Sequence, residues 1–239
     1  MPNVPAHNAL AKVLGAPSYA AIVPTAEAPD NQTLKELYPE DEAAELRIDL
    51  MDPRPDDNGL LHLVGRFGYT PLLTTLREES QGGNWSGNPE DKVRLLATAS
   101  QWVHGIDIEY DFPLLDDVVQ AADERVVIVS MHDFDGVPPF AKMLSRYERA
   151  RRAGADYFKI AATPRDEGDL ERLSLFMHAH QDDPVIAVAM GEHGVAGRKR
   201  LLELGSCATY AYIGDEPLVP GQLSLAEYRE FAETQHRTS

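Results

Sequence analysis

The chain has 239 residues, 43% hydrophobic and 26% charged, a globular balance that excludes a disordered or fibrous polymer. Thirty-nine acids against 22 bases leave a net charge of −17, a field that repels nucleic acid and anionic membrane surfaces. No apolar run approaches the ~20 residues of a membrane helix, and the single cysteine, Cys207, excludes an internal disulfide and a cysteine-built metal cluster; a soluble, unexported, cytoplasmic chain is expected.

Residues 1–17, with prolines at 2, 5 and 17, read as an N-terminal extension. Eight β-rich runs follow, at 19–25 (YAAIVPT), 44–50 (AELRIDL), 72–77 (LLTTLR), 105–110 (GIDIEY), 125–132 (RVVIVSMH), 157–162 (YFKIAA), 184–190 (PVIAVAM) and 207–213 (CATYAYI). Several are almost continuously apolar, as strands covered by helices on one side and a core on the other must be. Helical spacing lies between them. Val93, Leu96, Ala97 and Ser100 form one stripe; Phe140, Met143, Leu144, Tyr147 and Ala150 form another, stopped by Gly154; Leu170, Leu173, Phe176 and Met177 form a third. Eight strands alternating with helices predict an α/β fold, a (β/α)8 TIM barrel forming a single domain over residues 1–239. The competitor, a doubly wound open sheet, lacks its glycine-rich phosphate loop after the first strand.

In such a barrel the inward positions alternate, and chemistry gathers at strand carboxyl ends. Glu45, Arg47 and Asp49 share one parity of the second run, which fits either a polar site or a structural ion-pair network. Lys159 stands between Phe158 and Ile160; an apolar flank that lowers its pKa would leave a neutral amine able to attack a carbonyl, the alternative being a lysine that snorkels from a strand end. His132 ends the neighbouring run and suits proton transfer, although a lone histidine there can be structural; its adjacency to Asp133 is a weak metal signal, since neighbouring strand residues face opposite ways. Arg77 closes the third run, Arg198 follows the seventh, and Gln222 follows the eighth. Several arginines at one rim of so acidic a chain suit a carboxylate ligand.

In order along the chain stand ELRID at 45–49, TLR at 75–77, IDIE at 106–109, SMHDFDGVP at 130–138, FKIA at 158–161, MGEHGVAGR at 190–198 and PGQ at 220–222. This ordered set resembles the type I 3-dehydroquinate dehydratase family. The resemblance implies a (β/α)8 barrel, a homodimer, no metal and no cofactor, and a small-molecule substrate, 3-dehydroquinate, converted to 3-dehydroshikimate and water in aromatic amino acid biosynthesis. It also implies Lys159 as the imine-forming lysine and His132 as the general acid and base. Glu45, Arg47, Arg77, Arg198 and Gln222 become substrate contacts, Arg198 as the carboxylate anchor.

Three positions depart from the family pattern: Gln81 replaces an acid before Gly82-Gly83, Gly197 replaces a serine, and Leu218 stands where a serine is common. A Schiff-base aldolase on the same barrel and a non-catalytic shikimate-type ligand-binding paralogue are the rival readings. An aldolase would usually handle phosphorylated substrates, and the chain shows no glycine-rich phosphate site after the seventh or eighth run; retention of both Lys159 and His132 argues against the paralogue.

Overall fold

A computed structural model describes residues 8–15, 20–25, 37 and 41–236. Its sheet is parallel through β1 (Ala20–Thr25), β2 (Glu42–Arg47), β3 (Leu72–Thr75), β4 (Gly105–Glu109), β5 (Val126–Asp133), β6 (Tyr157–Ala162), β7 (Val185–Ala189) and β8 (Ala208–Tyr212). Strand β1 pairs with both β2 and β8, so the sheet curls into an α/β barrel. The seam between β7 and β8 is held by Cys207 N–H donating to the Val185 carbonyl at 2.9 Å and Ala187 N–H donating to Ser206 Oγ at 2.9 Å. A ninth strand, β9 (Leu223–Ser224), pairs beside β8 and was not expected; two residues are too short to leave a periodic signal.

The helices are α1 (Ala9–Gly15), α2 (Asp57–Gly65), α3 (Pro89–Ser100), α4 (Leu115–Ala121), α5 (Phe140–Ala153), α6 (Glu167–Ala179), α7 (Gly194–Glu203) and α8 (Leu225–His236). Asn88 and Asp166 cap α3 and α6 by accepting from Asp91 and Asp169 N–H, and Gly154 ends α5 in the left-handed region at φ 98°. None of these helices is long and apolar enough to cross a membrane.

Two apolar clusters follow from strand alternation. Outward residues such as Leu46, Ile106, Val129, Phe158 and Ile160 pack beneath the helices, joined by Leu173, Phe176 and Met177 of α6. Inward residues Ile22, Ala43, Leu73, Ile128 and Tyr157 fill the barrel, and Leu10, Val13 and Leu14 of α1 belong to the same cluster. Part of the expected N-terminal extension is therefore built into the fold: α1 packs with the interior core. Seven residues, two turns with three large apolar side chains, are too short a stretch to announce a core helix. Residues 1–7 and 16–17 lie outside the described residues.

Two local expectations are corrected. The second run does not continue as a strand to residue 50: β2 ends at Arg47, and Ile48–Leu50 make one 3-10 turn. Asp49 thus leaves the strand face it was expected to share, because its carboxylate is held by Arg47 (2.8 and 3.0 Å) and by Asn84 N–H (3.3 Å). In α3 the buried stripe keeps Leu96 and Ser100 but adds Lys92 and Ala99, while Val93 packs against the core only partly buried and Ala97 is half-buried. An ion pair lets a lysine take a core-facing position that hydropathy alone would never give it.

Candidate active site

Inward parity at the strand carboxyl ends gathers Glu45, Arg47, Arg77, His132 and Lys159, and helix α7 and the loop before β9 add Arg198 and Gln222. Glu45, Arg47, Arg77, His132, Lys159, Arg198 and Gln222 line one cleft of about 610 Å³, part of it open to solvent, with Pro24, Phe134, Met190 and Tyr210 among the apolar walls.

Lys159 is 4% exposed and faces the barrel interior between Tyr157 and Ala161. Its Nζ donates to Asp107 Oδ2 at 3.1 Å and lies 4.0 Å from the centre of the Tyr210 ring. Burial is the largest influence on the amine and lowers its pKa; Asp107 and Glu45 oppose this, Arg77 assists it, and the net direction is down. The neutral, nucleophilic form is thereby brought closer to neutral pH.

His132 is held at the carboxyl end of β5. Gln81 Oε1 accepts from its backbone N–H at 2.8 Å and lies 3.3 Å from its Nδ1, while the Phe134 ring stacks on the imidazole with centroids 6.4 Å apart. An amide oxygen at Nδ1 fits the tautomer protonated there, assigned from this network, and leaves Nε2 free as a base. Burial, then the charges of Arg77 and Lys159, push the imidazole well below its ordinary pKa, and Asp107 only partly offsets them.

The three arginines differ in what they have left to offer. Arg47 is paired with Asp49. Arg77 is anchored by Asp107 (2.6 Å), Glu109 (2.9 Å) and Ser130 Oγ (2.9 Å); burial works against its charge, but the two carboxylates outweigh it and its pKa rises. Arg198 is buried, donates from one NH to the Tyr210 carbonyl at 2.7 Å, leaves Nε without a partner, and has no carboxylate partner among the described residues. Desolvation pushes its pKa down to about 10. A buried guanidinium without a counter-charge is suited to receive an anion.

Glycine packing places the last two elements. A Cβ on Gly194 would meet Gly221 backbone atoms at 2.5–2.8 Å, and one on Gly221 would meet the Gly191 carbonyl at 2.2 Å, so the PGQ and MGEHG segments touch backbone to backbone. Gly191 N–H donates to the Pro220 carbonyl at 3.0 Å. Gln222 reaches the cleft from this junction, its Oε1 accepting from Leu218 and Val219 N–H at 3.2 and 3.4 Å. Gly197 has its own reason: a Cβ there would lie 2.6 Å from the Ala189 Cβ and 3.1 Å from Leu170. Helix α7 sits too close to β7 for a serine.

Four functional candidates went unnoticed in the sequence: Asp107, Glu109, Ser130 and Tyr210. The first two carried a usable signal, since both occupy the inward parity of β4, as Glu45 and Arg47 do in β2. Tyr210 reads as an ordinary strand aromatic; its buried Oη has no hydrogen-bond partner among the described residues.

A family model described as type I 3-dehydroquinase matches residues 13–239. The chain belongs to the type I 3-dehydroquinase family. It is 32% identical to the 3-dehydroquinate dehydratase of Methanococcoides burtonii over 195 residues, covering 79% of this chain and 82% of that one. The Methanosarcina mazei 3-dehydroquinate dehydratase is 34% identical over 203 residues, covering 79% and 83%. Among solved structures, the type I 3-dehydroquinate dehydratase from Clostridium difficile, described as having covalent modified comenic acid, is similar at a TM-score of 0.85 and 27% identity, covering 94% of this chain and 95% of that one. The 3-dehydroquinate dehydratase from Geobacillus kaustophilus is similar at a TM-score of 0.83 and 25% identity, covering 94% of each.

Proposed function

We propose that the cleft dehydrates 3-dehydroquinate to 3-dehydroshikimate through an imine on Lys159. The observation that carries this reading is one cleft holding a buried amine of lowered pKa, a histidine of lowered pKa and an arginine with no carboxylate partner among the described residues. Family membership supports it.

The neutral Lys159 amine attacks the substrate ketone, and loss of water from the carbinolamine leaves an iminium. That positive charge acidifies the adjacent C–H, so His132 Nε2 suffices as the base. The electron pair passes into the enamine, which expels the β-hydroxyl as water while the imidazolium returns its proton. Hydrolysis of the imine frees Lys159 and the unsaturated ketone. Arg198 holds the substrate carboxylate and supplies the orientation these steps need. Glu45, held by the Thr75 hydroxyl at 2.6 Å, together with Arg47 and Gln222, contacts the substrate hydroxyls, while Arg77 orders the floor.

No step invokes a metal or cofactor. The same reading takes the chain as one barrel domain and as a cytoplasmic homodimer; its mass in solution by light scattering tests the dimer. Absorbance of the conjugated product forming from 3-dehydroquinate tests the activity. Borohydride with substrate present should leave one adduct per chain, on Lys159, and Lys159→Ala should abolish both adduct and turnover. An adduct on Lys142 or Lys199, or turnover in the variant, overturns the assignment.

A further inference from the structure

The chain has six lysines, and a second one is fully buried, outside the cleft wall. Lys92, on α3, is 0% exposed; its Nζ donates to Glu109 Oε2 at 2.5 Å and to Glu78 Oε1 at 3.4 Å, and lies 4.8 Å from the centre of the Phe112 ring. Glu109 uses its other oxygen to accept from Arg77 at 2.9 Å and from Glu78 N–H at 3.1 Å. Arg77 reaches Asp107 Oδ1 at 2.6 Å, Ser130 Oγ donates to the same oxygen, and Asp107 Oδ2 meets the Lys159 amine at 3.1 Å. Charges of alternating sign thus run without a gap from a helix behind the barrel to the amine.

We propose that Lys92 is a positioning residue for Lys159, acting through Glu109, Arg77 and Asp107. The inference rests on the Schiff-base reading above. Lys92 neutralises Glu109, which would otherwise draw Arg77 to itself. Arg77 then divides its charge between Glu109 and Asp107, and Asp107 keeps one oxygen on the amine without holding it as a fixed ammonium. The other groups facing Lys159 or sharing its cleft are Glu45 and Arg47 on β2, His132 on β5, Tyr210 on β8 and Arg198 on α7. Lys92 touches none of them directly among the described contacts, so its effect must travel through the chain of carboxylates.

The sign of that effect can be worked out. Without Lys92, Glu109 keeps Arg77 and Glu78 N–H as partners. Arg77 shifts its pairing toward Glu109, Asp107 is less neutralised, and the Lys159 ammonium is favoured. Lys92→Met should therefore raise the pH midpoint for cyanoborohydride trapping of the Lys159 imine, by up to about one unit, and lower kcat with KM little changed. Lys92→Arg should restore the midpoint. In Lys92→Met/Glu109→Gln, Asp107 is left as the one carboxylate hydrogen-bonded to Arg77, and the midpoint should fall below that of the unaltered protein.

Trapping with 3-dehydroquinate in the unaltered protein comes first; absence of a Lys159 adduct there overturns the Schiff-base reading and with it this inference. Given that adduct, a folded Lys92→Met protein with an unmoved midpoint overturns the role of Lys92. Where Lys92→Met does not fold, the double variant decides. A lowered midpoint sustains the proposal, and a midpoint equal to that of the unaltered protein overturns it.

Discussion

Gln81 is tied to His132 twice, by its Oε1 accepting from the histidine's backbone N–H at 2.8 Å and by the same oxygen lying 3.3 Å from Nδ1. The amide orients the ring and contributes no net charge. A carboxylate in its place would favour imidazolium, so Gln81→Glu should raise the His132 pKa and move the acid limb of kcat/KM upward by up to about one unit. Gln81 Nε2 also reaches Asp111 at 3.4 Å, and a glutamate would be repelled there, so the pair Gln81→Glu/Asp111→Asn is the cleaner variant. A pH–rate series over both variants checks this. An unmoved limb means that His132 is not the titrating base.

Arg198 should separate function from stability. It is buried with no carboxylate partner, so its charge weakens the empty protein while serving an anionic ligand. Arg198→Met should raise KM for 3-dehydroquinate by at least about tenfold, the scale of losing one charged hydrogen-bonded contact. The same variant should melt no lower than the parent and, by removing an uncompensated charge, about 1 kcal/mol higher in stability. Calorimetry beside steady-state kinetics tests both halves. A large fall in melting temperature would mean that its bond to the Tyr210 carbonyl matters more to the fold than the missing counter-charge does.

The barrel was legible because its strands and helices obey two different periods; parity put Glu45 and Arg47 on one face of the second strand, with Asp49 wrongly beside them, and strand order put His132 and Lys159 at the same end of neighbouring strands. The cleft's floor was less so. Asp107 and Glu109 obey the same parity rule and could have been picked out, but Lys92 could not: on α3 it looks like any solvated helix lysine, and only the three-dimensional approach of Glu109 shows why it is buried. Gly197 shows the converse limit. A missing serine reads as a functional loss in one dimension, whereas the 2.6 Å approach of the Ala189 Cβ makes it a packing requirement.

His104 sets an acid limit on stability. Its Nδ1 accepts from Leu72 N–H at 3.0 Å and must be unprotonated to do so; burial chiefly, and Arg125 next, lower its pKa. The folded pKa lies below the unfolded value of about 6.5, so the stabilisation is complete above that pH and is lost as pH falls through the folded pKa. Stability should therefore decline from about pH 6.5 downward, with His104 contributing at most about 1.4 kcal/mol per pH unit. His132 adds a similar slope, so the comparison needed is with His104→Asn, whose amide oxygen can replace Nδ1 as an acceptor. Urea midpoints between pH 7 and 5 should fall less steeply in the variant. Parallel slopes would assign the acid sensitivity to His132 or to other groups.

The net charge of −17 implies a response to salt with a particular shape. With 39 acids and 22 bases, repulsion between like charges at the surface outweighs exposed pairs such as Arg94–Asp91 and Arg200–Glu167, which salt weakens in the opposite sense. The buried chain from Lys92 to Lys159 is shielded from bulk ions and should not respond. The melting temperature should accordingly rise with KCl. Most of the rise should come between about 0.01 and 0.2 M, where the Debye length contracts from about 30 Å to below 10 Å and repulsion across the surface is screened. NaCl at equal ionic strength should give the same curve, since screening depends on charge and concentration and not on the identity of the cation. A flat or falling curve would mean that exposed ion pairs balance the excess of acids. A rise that continues unabated to molar KCl, or that differs between the two cations, would point to specific ion binding instead of screening.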